Sequence, residues 1–342
     1  WALAVSGQTA ALDPELVLQL WPEDLKPKTR TWVAENVHSA KLKRGQLAFR
    51  KVSGQPHDLY AGFEFSEANV SFSRSLPPVE DGFGHAELQG NRFVVTADRG
   101  HLSAPQGGRV DITGTTFVIP DVTVKPAQGQ VNLRAGGSVT AALSLLNQPP
   151  LALMDKAGRP VDLATGRVQA RGRLTMPLKK QLPAEQVTFD VEAALLDLSS
   201  DKLVPGRLLS ADRMELSAVN DRLVIAGKGR IGTVPFDAVY EDQLTPEHRG
   251  KSQVYGDVEL SQRFLDEFDI ALPKGTVKGA GQGRFVLDLQ KDQPPRFEVS
   301  SDLAGLGLRV PQLAWSLSQG RTGSLSASGT LGSPAKVDSI TL

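Results

Sequence analysis

The side chains that most often carry chemistry are few and scattered. The histidines are His38, His57, His85, His101 and His248. None is paired at i, i+4, and none stands at metal-ligand spacing from an acidic neighbour. Each reads as a surface or turn histidine. Cysteine is absent, which removes thiol nucleophiles, zinc–thiolate sites, iron–sulfur clusters and disulfide frameworks. No G-x-S-x-G segment occurs, so no serine is offered on a strand-to-helix elbow. One stretch does fit a nucleotide-binding pattern. Gly227-Lys228-Gly229-Arg230-Ile231-Gly232 is G-x-G-x-x-G, and it comes after the apolar Leu223-Val224-Ile225-Ala226. Phosphate binding there needs a helix whose N-terminus faces the pyrophosphate. The next residues, Thr233 to Tyr240, are β-like and include Pro235, so the stretch reads as glycine-rich strand and turn. Gly279-Ala280-Gly281-Gln282-Gly283 likewise reads as small residues on a strand, where backbones approach closely.

The charged residues offer no alternative chemistry. Lys41, Lys43 and Arg44 form a small basic cluster that reads as a solvated face. Arg167, Arg171 and Arg173 alternate along one strand and decorate its wet side. Asn69-Val70-Ser71 is a formal glycosylation sequon inside strand pattern. Lys+Arg is 38 and Asp+Glu is 38, a balance that argues against a nucleic-acid partner, which favours a basic excess. Hydrophobic residues make up 40%, too many for a disordered chain. No apolar run reaches the roughly 18 residues of a membrane-spanning helix, and no signal-peptide pattern is present. The chain opens on Trp1 rather than Met and stops within the strand-like Ser339-Ile340-Thr341-Leu342. It is expected to be a piece of a longer protein whose targeting segment lies elsewhere.

The elements that must position these residues are mostly β-strands, because period-2 alternation dominates. Val187, Phe189, Val191, Ala193 and Leu195 alternate with Thr188, Asp190, Glu192, Ala194 and Leu196. Val254, Gly256, Val258 and Leu260 alternate with Tyr255, Asp257, Glu259 and Ser261. The same pattern recurs at Phe63 and Phe65, at Phe285, Leu287 and Leu289, at Phe297 and Val299, and at Leu325, Ala327 and Gly329. Alternation means one wet face and one apolar face per strand. Turn formers punctuate the runs at Gly90-Asn91, Gly136-Gly137, Asn220-Asp221 and Pro294-Pro295. The pattern predicts an antiparallel meander.

Helical pattern is scarce. Asp13-Pro14-Glu15 opens a short helix with an N-cap and a first-turn proline. Thr29 is read as the cap of a second, with Trp32, Val33 and Val37 on one side. A turn is expected within residues 149–155. Ser261 is read as the cap of a last helix whose stripe is Phe264, Leu265 and Phe268. The expected organisation is a short helical segment over 1–40, then an extended antiparallel sheet over 41–342, with two subsegments meeting near 150–165. So much one-sided apolar surface must be buried in a sandwich, closed in a barrel or left as an open trough. Periodicity alone does not choose among them.

Two stretches resemble a known family. Leu20-Trp21-Pro22, followed by Arg30-Thr31-Trp32-Val33 and Asn36, resembles a Trp-Pro…Arg-x-Trp…Asn segment of the large AsmA-like envelope proteins of Gram-negative bacteria, of the YhdP type. Asp302-Leu303-Ala304-Gly305-Leu306 with Pro311-Gln312-Leu313-Ala314-Trp315 is similar to the same family's C-terminal segment. It departs at Ser316-Leu317-Ser318, where a basic residue is expected after the Trp. Leu76-Pro77-Pro78 and Phe264 to Ile270 before Leu272-Pro273 sit where that family has them.

The resemblance implies a mainly β fold in which a long curved antiparallel sheet forms an open apolar groove (a β-taco), with a few short capping helices. It implies a periplasmic body anchored to the inner membrane through a segment outside this chain. The implied function is intermembrane phospholipid transport, without an enzymatic step or a cofactor. The implied partners are phospholipid, the inner and outer membranes and further groove segments of the same full-length chain. Acyl chains would slide along the trough while headgroups stay in water. Each buried CH₂ contributes about 0.8 kcal/mol, and aliphatic walls are non-directional. The candidate lining residues are Phe63, Phe65, Val70, Phe72, Val187, Phe189, Val191, Leu195, Val254, Val258, Leu260, Phe285, Leu287, Phe297 and Val299, each of which ordinary core packing explains equally well. Two other readings compete. One is a non-enzymatic periplasmic scaffold with a filled interior, serving outer-membrane assembly or integrity. The other is a β-solenoid enzyme acting on polysaccharide, which calls for clustered acids and aromatics that the sequence lacks.

Overall fold

A computed structural model describes the chain except Trp1 and residues 55–57, 180–181, 274, 311–313 and 333–335. His57 and the Pro311-Gln312-Leu313 part of the C-terminal resemblance therefore lie outside the described residues. The described chain is mainly β, with twenty strands and five short α-helices. It divides into two compact units, Trp1–Asp162 with Val168–Val191, and Leu163–Arg167 with Glu192–Leu342. Strands β9 (Thr165–Pro177) and β10 (Thr188–Val204) each contribute residues to both units. The divisions thus fall between Asp162 and Leu163 and along these two strands.

In the first unit, β1 (Ala2–Leu12), β2 (Val37–Val52), β3 (Asp58–Val70), β4 (Val79–Gln89) and β5 (Arg92–Ser103) pair antiparallel in chain order. Next, β5 pairs with both β6 (Arg109–Asp111) and β7 (Thr116–Ile119), and these two share β8 (Gln128–Ser138). The stretch over 1–40, expected as a short helical segment, carries its two helices and, before them, strand β1. Its residues run from Ala2 opposite Val52 to Leu12 opposite Leu42. Its small Ala, Ser, Gly and Thr side chains carry no clear alternation, so the strand is invisible to a periodicity argument. Among the described pairings β1 has β2 as its single partner. Its eleven residues contain no charge and no proline.

The two helices after β1 are fixed by local chemistry. Helix α1 (Pro14–Leu20) is capped by Asp13, which accepts from the Leu16 N–H at 2.8 Å. Helix α2 (Pro27–Asn36) starts two residues before the expected Thr29, because Pro27 supplies a helical φ after Lys26 in the left-handed region at φ 51°. Val37 accordingly belongs to β2 rather than to the helix. Arg30 joins the pair. Its guanidinium donates to the carbonyls of Leu18 at 3.1 Å and Trp21 at 3.2 Å, groups that the end of α1 leaves without helical partners. The Trp-Pro…Arg-x-Trp spacing thus has a structural meaning in this chain. Asp13→Ala is expected to lower the stability of the first unit by about 0.5–1 kcal/mol, the usual cost of a lost cap. Asp13→Asn, which keeps an acceptor, is expected to melt near the wild type by circular dichroism.

Helix α3 (Val139–Leu146) is capped by Ser138, which accepts from the Ala141 N–H at 3.0 Å. Helix α4 (Leu153–Ala157) overlaps the turn expected over 149–155.

In the second unit, β11 (Arg207–Val219), β12 (Arg222–Ile231), β13 (Val234–Gln243), β14 (Lys251–Ser261), β15 (Val277–Gln290) and β16 (Arg296–Ser301) pair in chain order. The ladder then continues to β19 (Leu325–Thr330) and β20 (Lys336–Thr341). Strands β17 (Leu306–Val310) and β18 (Trp315–Leu317) branch from the start of β15. The G-x-G-x-x-G stretch is the end of β12 and a hairpin turn: Ile231 stands opposite Val234, with Gly232 at φ 54° between them. No helix starts there, which rules out the nucleotide-binding geometry. Gly281 and Gly283 are small for packing reasons, as expected. A Cβ on Gly281 would stand 2.7 Å from the Ala304 carbonyl oxygen, and one on Gly283 would stand 2.9 Å from the Leu260 side chain.

The fully buried core is thin. Of the large side chains, Leu303 and Val234 alone fall below 2% exposure among the described residues. The accessible surface of this 36.7 kDa chain is 21111 Å². Two separate compact globules of half that mass would together expose roughly 16,000 Å². The larger area goes with the small number of fully buried large side chains.

Candidate functional site

Register shows which side chains share a face. In the second unit one row of directly opposed residues runs Met214, Gly227, Ala238, Gly256, Phe285, Val299, Ala327, Ile340. Two residues along each strand, or three on β20 where the register shifts, the next row is Leu216, Ile225, Tyr240, Val254, Leu287, Phe297, Gly329, Val337. Each row crosses eight strands, so at about 4.8 Å per strand it extends about 34 Å. Neither row contains a charge. Between them lies the opposite-face row Glu215, Ala226, Val239, Tyr255, Val286, Glu298 and Ser328, and on the other side of the first row the same face carries Arg213, Lys228, Asp237, Asp257 and Arg284. The alternation legible in the sequence therefore becomes one apolar face and one charged face.

Most of the apolar face is half-exposed. Val254, Phe285, Leu287, Phe297 and Val299 are all partly buried, and Val337 and Ile340 at the end of the rows are 52% and 62% exposed. One end differs. Val258 and Leu260 are buried, in a cluster with Val234, Leu303 and Leu306. Helix α5 (Gln262–Glu267) covers that cluster with Phe264 and with the neighbouring Phe268, their ring centroids 4.8 Å apart, and Trp315 and Leu317 of β18 pack against it. Ser261 precedes α5 as expected but makes no side-chain cap. Its hydroxyl donates to Glu259 at 2.6 Å, and Arg263 closes on the same carboxylate, holding the Glu259 carboxyl below the usual range. Of the second-unit residues expected to line a trough, Val258 and Leu260 are closed core. Leu195 lies half-buried on β10.

The first unit repeats the arrangement. Phe63, Ala86, Val95, Phe117 and Val131 form one row. Leu47, Ala61, Leu88, Phe93 and Ile119 form the next. Phe65 stands opposite Leu42 and Gly84. Val70 lies beyond β-bulges, in a row with Val37, Val79, Leu102 and Val110, of which the last two are buried. Phe189 and Val191 are half-buried on β10, and Val187 is half-buried just before it. Phe72 falls outside the strands and is 50% exposed. The row partners Leu47, Phe93, Phe117, Ile225 and Val337 were not singled out from the sequence, because their role appears only once the register is known.

The polar face holds its charges in local pairs. Lys41 meets Glu67 at 2.6 Å, Arg167 meets Asp197 at 2.7 Å, and Arg44 meets Glu64. Arg99 lies over the Phe83 ring at 3.8 Å. His101 departs from the expected surface histidine. Its side chain is 12% exposed, with Nε2 3.3 Å from Glu80 and Nδ1 4.0 Å from Asp81. Among the described residues no group of His, Asp and Glu converges as a metal site.

One charged residue stands in phase with the apolar face. Asp242 of β13 lies two residues beyond Tyr240, opposite Leu223 and Ser252, with Leu289 next in the row. It accepts from the Tyr240 hydroxyl at 3.3 Å. Burial pushes its carboxyl above the usual aspartate value of 3.8, against the pull of that hydrogen bond. A raised folded-state pKa contributes stability below the unfolded value, and that contribution is lost as pH rises through the folded one. Asp242→Asn is therefore expected to melt higher than wild type at neutral pH. The difference should vanish near pH 4, as thermal melts at the two pH values will show. No helix among the described residues is long and apolar enough to cross a membrane. Comparison with family models, with curated proteins and with solved structures finds no match for this chain.

Proposed function

We propose that this chain carries phospholipid between the membranes of a Gram-negative envelope, its acyl chains sliding on the apolar faces of the two units. The observation that carries the proposal is the pair of charge-free rows in the second unit. Apart from Met214 and Ala238, which are buried, their side chains are partly or largely exposed, and the rows extend about 34 Å at ordinary strand spacing. A lipid tail reaches about half of a ~30 Å hydrocarbon core, so one row accommodates a tail at several successive positions. The thin core favours transport over a filled scaffold, because a filled interior needs buried large side chains opposite these rows. The covered cluster beneath α5 is the local exception and closes one side of the face. Periplasmic location, anchorage to the inner membrane through a segment outside this chain, and further groove segments belong to the same proposal. They rest on the family resemblance.

Purification without detergent followed by native mass spectrometry tests the proposal. Bound phospholipid, and uptake of labelled phospholipid from vesicles, is the expected result. A chain that emerges lipid-free and takes up none from vesicles overturns it.

A further inference from the structure

We propose that Asp242 and Tyr240 select the headgroup of the carried lipid, favouring one that bears an ammonium, such as ethanolamine, over an uncharged glycerol headgroup. The inference rests on the lipid-carrying reading and adds a specificity to it.

Three observations lead to it. Asp242 is the one charged side chain in register with the apolar rows that cross β12 to β15 in the second unit. Its hydrogen-bond donor among the described residues is a neutral hydroxyl, that of Tyr240 at 3.3 Å, and no ion pair among those residues reaches it. Arg222, on the neighbouring strand β12, pairs with Glu241 at 2.8 Å rather than with Asp242. A half-buried carboxylate with no cation is costly unless something outside the chain supplies the charge. Its place along the strand is the third observation. Asp242 is one residue from the end of β13, where Arg222, Gln243, Lys251 and Gln290 form the polar termini of four adjacent strands. The apolar rows end there and the polar rim begins. A lipid whose tails lie on Val254 and Leu287 brings its headgroup to this boundary.

The chemistry favours an ammonium. A carboxylate that accepts from one tyrosine hydroxyl keeps further lone-pair sites for a charged donor. A charge-assisted hydrogen bond from ammonium to carboxylate is about twice as strong as a neutral one.

The test uses the full chain and vesicles of equal phosphatidylethanolamine and phosphatidylglycerol content. Native mass spectrometry reads the ratio of the two lipids bound. Wild type is expected to hold ethanolamine lipid in about tenfold excess over the vesicle ratio. Asp242→Asn is expected to bring the ratio to that of the vesicle, and Asp242→Lys to turn it toward glycerol lipid. The Asn variant, which removes a carboxylate penalised by burial, keeps the fold available for the measurement. An equal ratio in wild type, or a preference unchanged in Asp242→Asn, overturns the headgroup proposal while leaving lipid carriage standing. No lipid of either kind on the wild type overturns both.

Discussion

Val258→Asp is expected to abolish the cooperative melt of the second unit. Val258 is buried with Val234, Leu260, Leu303 and Leu306 beneath Phe264 and Phe268, and no cation is part of that cluster. An uncompensated buried charge costs several kcal/mol. Domain stabilities are roughly 5–15 kcal/mol, so one such charge removes much of the margin. Leu303→Ala, at a side chain 1% exposed, is expected to cost about 2–5 kcal/mol through lost contacts and the cavity left behind. Differential scanning calorimetry reads both. A second-unit transition that stays sharp and unshifted in Val258→Asp contradicts the closed cluster.

Phe297→Asp is expected to behave in the opposite way. Phe297 lies between Leu287 and Gly329 in a charge-free row and is half-exposed. Its carboxylate keeps access to water, so the melt should fall by about 1–2 kcal/mol, in the ordinary range for a point substitution. A tail crossing that position, however, loses the burial of about two methylenes, near 1.6 kcal/mol at about 0.8 kcal/mol each. Lipid uptake from vesicles should drop by about tenfold or more, and Leu287→Asp should do the same. A loss of the cooperative melt in Phe297→Asp places Phe297 in a packed interior, and unchanged uptake by a folded Phe297→Asp shows that it is not part of a carrying surface.

These contrasting outcomes show where the sequence stops being informative. Val258 and Leu287 are both apolar positions in alternating strands, and nothing local separates them. The difference is made by α5, which comes directly after β14 and folds back over one end of the face. Strand periodicity was legible at β14, β15, β16 and β19 because large apolar residues alternate there with Asp, Glu and Ser. It was not legible in β1, whose side chains are too small and too uniform to mark a face. Helix α3 was missed because Val139 to Leu146 is apolar on nearly every side, and a short run of that kind has no period to read. Row membership needs the register, so Ile225 and Phe117 could not be chosen from their own segments. Asp242 did leave a signal. It comes after Phe236, Ala238 and Tyr240 at intervals of two, a charge in step with an apolar face.

The outer margin of β1 has a practical consequence. About half of its eleven residues, the alternate ones not bonded to β2, have no partner strand for their amide and carbonyl groups among the described residues, and no lysine, proline or inward charge interrupts them, the devices by which sheet proteins discourage unwanted zippering. In the second unit β20 carries Lys336 and Asp338, so β1 and β20 differ in their resistance to clasping a neighbour. Concentrated preparations should therefore polymerise or gel through the Ala2–Leu12 side first. A lysine placed at Ser6 or Gln8 is the simplest means of keeping the isolated chain dispersed.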